Sequence, residues 1–208
     1  MDIATLISEL CEREWQMFSQ VQNVGGPASC QQDEAFFKKM RACQFMAWSG
    51  DMLTHYLEDL IAAEACERNL PMEKYAWMMA RTHPHEFADI RDSLPDIPPE
   101  QLGMIAEIVR VLVDWEAEVD ARFPHVRAGG RALRKEQDTA CATSFETYLE
   151  GELKTYSQAT IASYLAHVRE VQNAGGNMAL DVAEYTAKAY GFASLMAMEE
   201  HQAAKQRG

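Results

Sequence analysis

The 208-residue chain is 48% hydrophobic and 25% charged, the balance of one ordinary globular domain long enough to bury most of its apolar surface. Its formal net charge of −13 repels phosphate on average, which counts against broad binding to DNA or anionic membranes unless a local basic patch prevails. No apolar run approaches the roughly 18 residues of a membrane helix, the opening "MDIATLISELCEREW" has no basic leader, and the five cysteines lack CxxC spacing, so the expectation is a soluble cytoplasmic protein with free thiols.

The apolar spacing is helical nearly throughout. Leu6, Leu10, Glu14 with Trp15, Phe18 and Val21 recur at steps of three and four, which predicts a first amphipathic helix stopping near Asn23. Gly25 suits a helix C-terminus, and Pro27 prevents an unbroken restart. Asp33 can cap "EAFFKKMRACQFMAWSG", with a weak point at Ser49-Gly50, before "DMLTHYLEDLIAAEACE" runs to Arg68-Asn69. Pro71 fits the first turn of "PMEKYAWMMART", and Pro84 opens a short helix through "HEFADIRDSL". After the rigid "PDIPP", a long helix carries Leu102, Ile105, Ile108, Leu112 and Trp115 on one stripe and ends at Phe123-Pro124. Helix returns across "TSFETYLEGELKTYSQATIASYLAHVREVQN" with a break near Ser157. "MALDVAEYTAKAY" and "FASLMAMEEHQAAKQ" follow, separated by Gly191. No segment alternates as a strand would, so the expected fold is all-α, a single-domain bundle of about eight to ten helices over residues 1–208.

"VQNVGG" at 21–26 returns as "VQNAGG" at 171–176, but the neighbours diverge, with Trp15 against Tyr164 and Phe18 against His167. Helix-end capping used twice accounts for the echo without a duplicated half.

Several polar residues fit plain packing poorly. Arg41, Gln44 and Trp48 share a helix face with Phe37 and Met40, and helix continuing past Gly50 would extend that stripe to Asp51, His55 and Asp59. Such a face either lines a polar pocket or lets Arg41 snorkel to solvent. In "TYLEGELKTYS", Tyr148, Glu152 and Tyr156 stand four apart, two phenols flanking a carboxylate, while "EYTAKAYG" offers Glu184, Tyr185, Lys188 and Tyr190. Glu152 and Glu184 on facing helices could form an acid–base pair; the alternative is a surface Glu152–Lys154 region with tyrosines at the core boundary. Arg68, Asn69, Lys74 and Tyr75 form a corner able to hold an anion; equally, Glu73 and Lys74 are simply solvated. Cys30 follows a tight turn at a helix start, where a thiolate is favoured, although a buried thiol is the commoner state. His55, Glu58, Asp59, His83, His85 and Glu86 include no helical Glu-x-x-His and no HExxH, so no metal site is expected. The connector 122–137 gathers Arg122, Arg127, Arg131, Arg134 and Lys135 against Glu136, either an anion-binding loop or a solvated linker, and it matches no phosphate-loop motif.

Together "EREWQMFSQVQNVGGPASCQQD", "FFKKMRACQFMAWS", "RNLPMEKYAWMMARTHP", "TSFETYLEGELKTYS" and "EYTAKAYGFASL" make the chain resemble the bacterial domain-of-unknown-function 4125 family along nearly its whole length. The resemblance implies no settled activity. Fusion of some relatives to a nucleotidyltransferase-like domain implies a link to nucleotide or small-molecule transfer. Gly25-Gly26-Pro27-Ala28 departs from the family's Gly-Gly-Arg-Ala, and an anion role resting on that arginine does not carry over.

The reading that follows is a small-molecule-binding protein or enzyme with a polar cavity between helices. Asn23, Cys30, Arg41, Gln44, Trp48, Tyr56 and Asp59 would bind a small anionic or polar ligand, and Glu152, Tyr156 and Glu184 would serve catalysis. No motif specifies a cofactor. The alternative is a helical module that docks on a partner enzyme, such as a nucleotidyltransferase, or on a second copy through its C-terminal helix. Nucleic-acid binding ranks last.

Overall fold

The computed structural model describes residues 1–22 and 29–207, with Ser29 and Cys30 described by backbone alone. Eleven α-helices and no strand occur among them. They are α1 (Ile3–Phe18), α2 (Glu34–Phe45), α3 (Gly50–Ala65), α4 (Leu70–Thr82), α5 (Pro84–Ile90), α6 (Pro99–Arg122), α7 (Pro124–Arg127), α8 (Phe145–Leu153), α9 (Gln158–Asn173), α10 (Met178–Ala189) and α11 (Leu195–Lys205). The one beyond the expected range is α7, a single turn inside the basic connector. Among the described residues no helix is long and apolar enough to cross a membrane.

Local chemistry sets most boundaries. Asp33 accepts the Phe36 N–H at 2.9 Å and starts α2, while Pro71 and Pro84 occupy first turns. Ser157 does break the long helical run, accepting the Thr160 N–H at 3.2 Å to begin α9. The second copy of the Asn-x-Gly-Gly echo is a capping motif. Gly175 adopts φ +71°, and the N–H groups of Gly175 and Gly176 reach back to the carbonyls of Gln172 and Val171 at 3.0 and 2.8 Å. The first copy, with Asn23, Gly25 and Pro27, lies outside the described residues.

Three expectations about helix faces change. α1 ends at Phe18, short of Asn23. α2 ends at Phe45 and Ser49 caps α3, so Trp48 sits in a turn and no continuous stripe runs on to Asp51, His55 and Asp59. On α6 Leu102 is 41% exposed, and Gln101 takes the inward place, donating to the Tyr156 carbonyl at 2.8 Å.

Pairwise packing closes a ring: α1 on α3, α3 on α9, α9 on α6, α6 on α8, α8 on α4 and α4 back on α1. α2 spans from α1 to α10, which in turn packs on α6 and α11. Leu10, Met52, Leu60, Ile108, Leu153 and Ile161 are fully buried in the main core. A smaller apolar cluster joins the end of α6 to α10 and α11 through Val119, Phe123, Ala187 and Leu195. α11 turns Leu195 and Ala203 inward and leaves Met196 as its exposed large apolar side chain.

Candidate functional site

Between α1, α2, α3, α4 and α8 lies a largely buried charged cluster. It begins with Glu14, which continues the ladder Leu6–Leu10 on the buried face of α1 and is 4% exposed. A carboxylate there needs strong partners, because an unpaired buried charge costs several kcal/mol. Arg41 on α2 supplies them: its Nε and Nη2 donate to the two Glu14 oxygens, each at 2.5 Å, in a bidentate fork. Arg41 Nη1 donates to Gln44 Oε1, and the Tyr56 hydroxyl on α3 donates to Glu14 Oε1.

The same guanidinium joins the second carboxylate. Arg41 Nη2 stands 3.1 Å from Glu152 Oε1 on α8, and the Tyr156 hydroxyl donates to that oxygen at 2.8 Å. From α4, Lys74 Nζ lies 3.5 Å from Glu152 Oε2 and donates to the Tyr148 hydroxyl at 2.7 Å. Gly151 brings Lys74 this close. A Cβ at that position would stand 2.9 Å from Met78 Cγ and 3.0 Å from the Lys74 carbonyl, so α4 and α8 can cross here only over a glycine.

These contacts fix the protonation states. Burial opposes the charge on Glu152, but Arg41 first, then Lys74 and the Tyr156 hydroxyl, outweigh it and hold the pKa at about 2. Burial, reinforced by Glu14, pushes the Tyr56 phenol well above its usual range; burial and Glu152 do the same to Tyr156. Burial disfavours the charges of Arg41 and Lys74, yet neighbours more than compensate: Glu14 and Glu152 for Arg41, Tyr148 and Glu152 for Lys74. The result around Glu152 is an ionised carboxylate, two retained cations and two neutral phenols. A carboxyl with a pKa of about 2 is a weak base near neutrality.

A cavity of about 210 Å³ opens onto this cluster, lined by Glu14, Arg41, Gln44, Lys74 and Glu152 together with aromatic side chains that include Phe36, Phe37, Tyr75 and Tyr148. Arg131 completes the lining, its guanidinium 4.7 Å from the Tyr148 ring centre while Lys74 Nζ stands 4.2 Å from the same centre. Arg131 donates to the carbonyl and hydroxyl of Thr143 and has no carboxylate partner among the described residues. The lining therefore carries three cations against two carboxylates, in a chain of net charge −13.

Of the residues expected from sequence, Arg41, Gln44, Tyr56, Glu152 and Tyr156 meet in this cluster. Trp48 adjoins it, packing on Tyr56 and Tyr164 with ring centres 5.6 and 5.2 Å apart, and lines a neighbouring cavity. Asp59 does not join. Its Oδ2 accepts from the Ser157 N–H at 2.9 Å and the Thr160 hydroxyl at 2.7 Å, anchoring the start of α9. Glu184 does not face Glu152 either: it accepts the Leu195 N–H at 2.8 Å at the head of α11 and pairs with Lys188 at 3.1 Å, so the pair of facing glutamates does not form. Asn23 and the Cys30 side chain lie outside the described residues. Sequence reasoning missed Glu14 as a site residue, and for Lys74 and Arg131 it left anion binding and solvation open. The signal for Glu14 was a carboxylate repeating an i, i+4 apolar ladder.

The rest of the basic connector is neutralised at short range. Arg122 pairs with Glu118, Arg127 with Glu116 and Asp120, Arg134 with Asp114, and Lys135 with Glu146. Backbone bonds from Phe145 and Glu146 to the carbonyls of Ala132 and Leu133 strap it to α8.

The sequence profile of DUF4125, described as a protein of unknown function, matches residues 4–200. The chain belongs to the DUF4125 family. All the described side chains of the cluster fall inside that match, so the site is part of the DUF4125 domain itself. No curated protein and no solved structure matches this DUF4125 chain.

Proposed function

We propose that this DUF4125 protein binds a small anionic molecule in the cavity between α1, α2, α4 and α8. The observation that carries the reading is the surplus positive charge: Lys74 and Arg131 both stand close to the Tyr148 ring in the lining, and Arg131 has no carboxylate partner among the described residues. Behind them the Arg41–Glu14–Glu152 network is already satisfied, so it acts as a rigid backing and costs no reorganisation on binding. Binding fits this chemistry better than proton transfer, because Glu152 is a weak base and both buried phenols hold their protons. The adaptor reading drew on an apolar C-terminal helix; α11 packs Leu195 and Ala203 inward and keeps Met196 as its exposed large apolar side chain.

Calorimetric titration with benzoate and with inorganic phosphate at low ionic strength tests the proposal. The wild-type protein is expected to bind at least one of them, and Lys74→Met and Arg131→Met are each expected to weaken it about tenfold, the value of one charge-assisted hydrogen bond. No binding of either anion up to about 10 mM, a free energy weaker than about −3 kcal/mol, would refute it.

A further inference from the structure

A second cavity, of about 110 Å³, shares Arg41, Gln44, Tyr148 and Glu152 with the first. Its remaining walls are of a different kind: the aromatic side chains of Trp48, Phe145 and Tyr164 with apolar side chains of α6, α8 and α10. Its own charged group is Glu116 on α6. In this cavity the Arg41 charge is matched by Glu152, which leaves Glu116.

Glu116 stands 3.1 Å from Arg127 Nη2, but Arg127 Nε also holds Asp120 at 2.7 Å. One guanidinium thus serves two carboxylates, Glu116 in the cavity lining and Asp120 outside it. Burial raises the Glu116 pKa against the pull of Arg127, and Asp120 adds to the rise. Aromatic faces around a carboxylate are the surroundings that an organic ammonium group recognises, through ring quadrupoles and a charge-assisted hydrogen bond. The first cavity has a surplus of cations, the second a surplus of anion, and four side chains border both.

We propose that the second cavity takes the ammonium end of the same ligand whose anionic end lies against Lys74 and Arg131. The ligand is then a small zwitterion, an amino acid or another amine-bearing acid, with an apolar stretch between its charges. This rests on the anion site proposed above.

The test is calorimetry on the full chain with ω-amino acids of increasing length, each compared with the alkanoate of equal carbon number. At one chain length the amino acid is expected to bind about tenfold or more tightly than its alkanoate. Glu116→Gln should abolish that preference and leave alkanoate affinity unchanged. Val182→Phe, which narrows the second cavity without touching a charge, should weaken amino acids and alkanoates of that length together and leave acetate unaffected, with thermal melts confirming that both variants fold. Alkanoates binding as tightly as amino acids at every length would overturn the zwitterion proposal while the anion site stands. Equal weakening of both ligand sets by Glu116→Gln would overturn it too. Failure of alkanoates and amino acids alike would remove the anion site and this inference with it.

Discussion

Glu152→Gln isolates the worth of the charge at the centre of the cluster. The glutamine keeps the size of the side chain and an oxygen for the Tyr156 hydroxyl, and removes the charge together with the oxygen that accepts from Lys74. Lowering of the carboxyl from its ordinary 4.5 to about 2 corresponds to about 3 kcal/mol carried by the ionised form, at about 1.4 kcal/mol per tenfold change in proton affinity. Because folding depresses this pKa, the contribution is complete above about pH 4.5 and disappears as pH falls towards 2. The variant should therefore be about 3 kcal/mol less stable than wild type at pH 7, and the gap should close between about pH 4.5 and 2. Urea denaturation followed by tryptophan fluorescence across that range measures both. A gap under about 1 kcal/mol at neutral pH, or one unchanged at pH 3, would refute the reasoning.

Other substitutions probe the frame around the site. Gly151→Ala gains about 1 kcal/mol of helix propensity but forces a Cβ into Met78 and the Lys74 backbone, so a net loss of about 1–2 kcal/mol is expected; an unchanged melting temperature would show that α4 yields freely. Glu67 ends α3 at φ +55°, and Arg68 N–H closes the same back-bond to Ala63 that glycines serve elsewhere. Glu67→Gly should stabilise the protein by up to about 1 kcal/mol in the same denaturation assay, and a loss would contradict the strain argument. Burial pushes the Cys11 thiol up to about 12, whereas Cys66 and Cys141 are exposed. Iodoacetamide at pH 8 with peptide mapping should modify Cys66 and Cys141 well before Cys11 and Cys43, and early labelling of Cys11 would count against its burial.

How much of this was legible before the structure depends on the range of each interaction. Helix ends set by Asp33, Pro71, Pro84, Ser157 and Gly191 were readable because each cap acts within a few residues. The inward facing of Arg41, Gln44 and Glu152 was visible as polarity on an apolar stripe. Their partners were not: Glu14 is 27 residues from Arg41, and Lys74 is 78 from Glu152. Glu152 and Glu184 look alike as glutamates beside tyrosines, and only the packing of α8 on α4 and of α10 on α11 separates a buried charge from a helix anchor. Leu102 misled for a related reason, since a 24-residue helix presents more than one face to its neighbours and Gln101 had a carbonyl to meet.

The closed ring of helices couples whatever sits at its centre to the whole domain. Each of the six ring helices lends a side chain to one of the two cavities: Glu14 from α1, Tyr56 from α3, Lys74 from α4, Glu116 from α6, Glu152 from α8 and Tyr164 from α9. With one arc detached, the cavity walls are incomplete and a molecule held there is released. A ligand of the proposed kind would thus stabilise the whole ring, by about 2.7 kcal/mol at a concentration one hundred times its Kd. Amide exchange should slow in every arc of the ring together, including backbone far from either mouth.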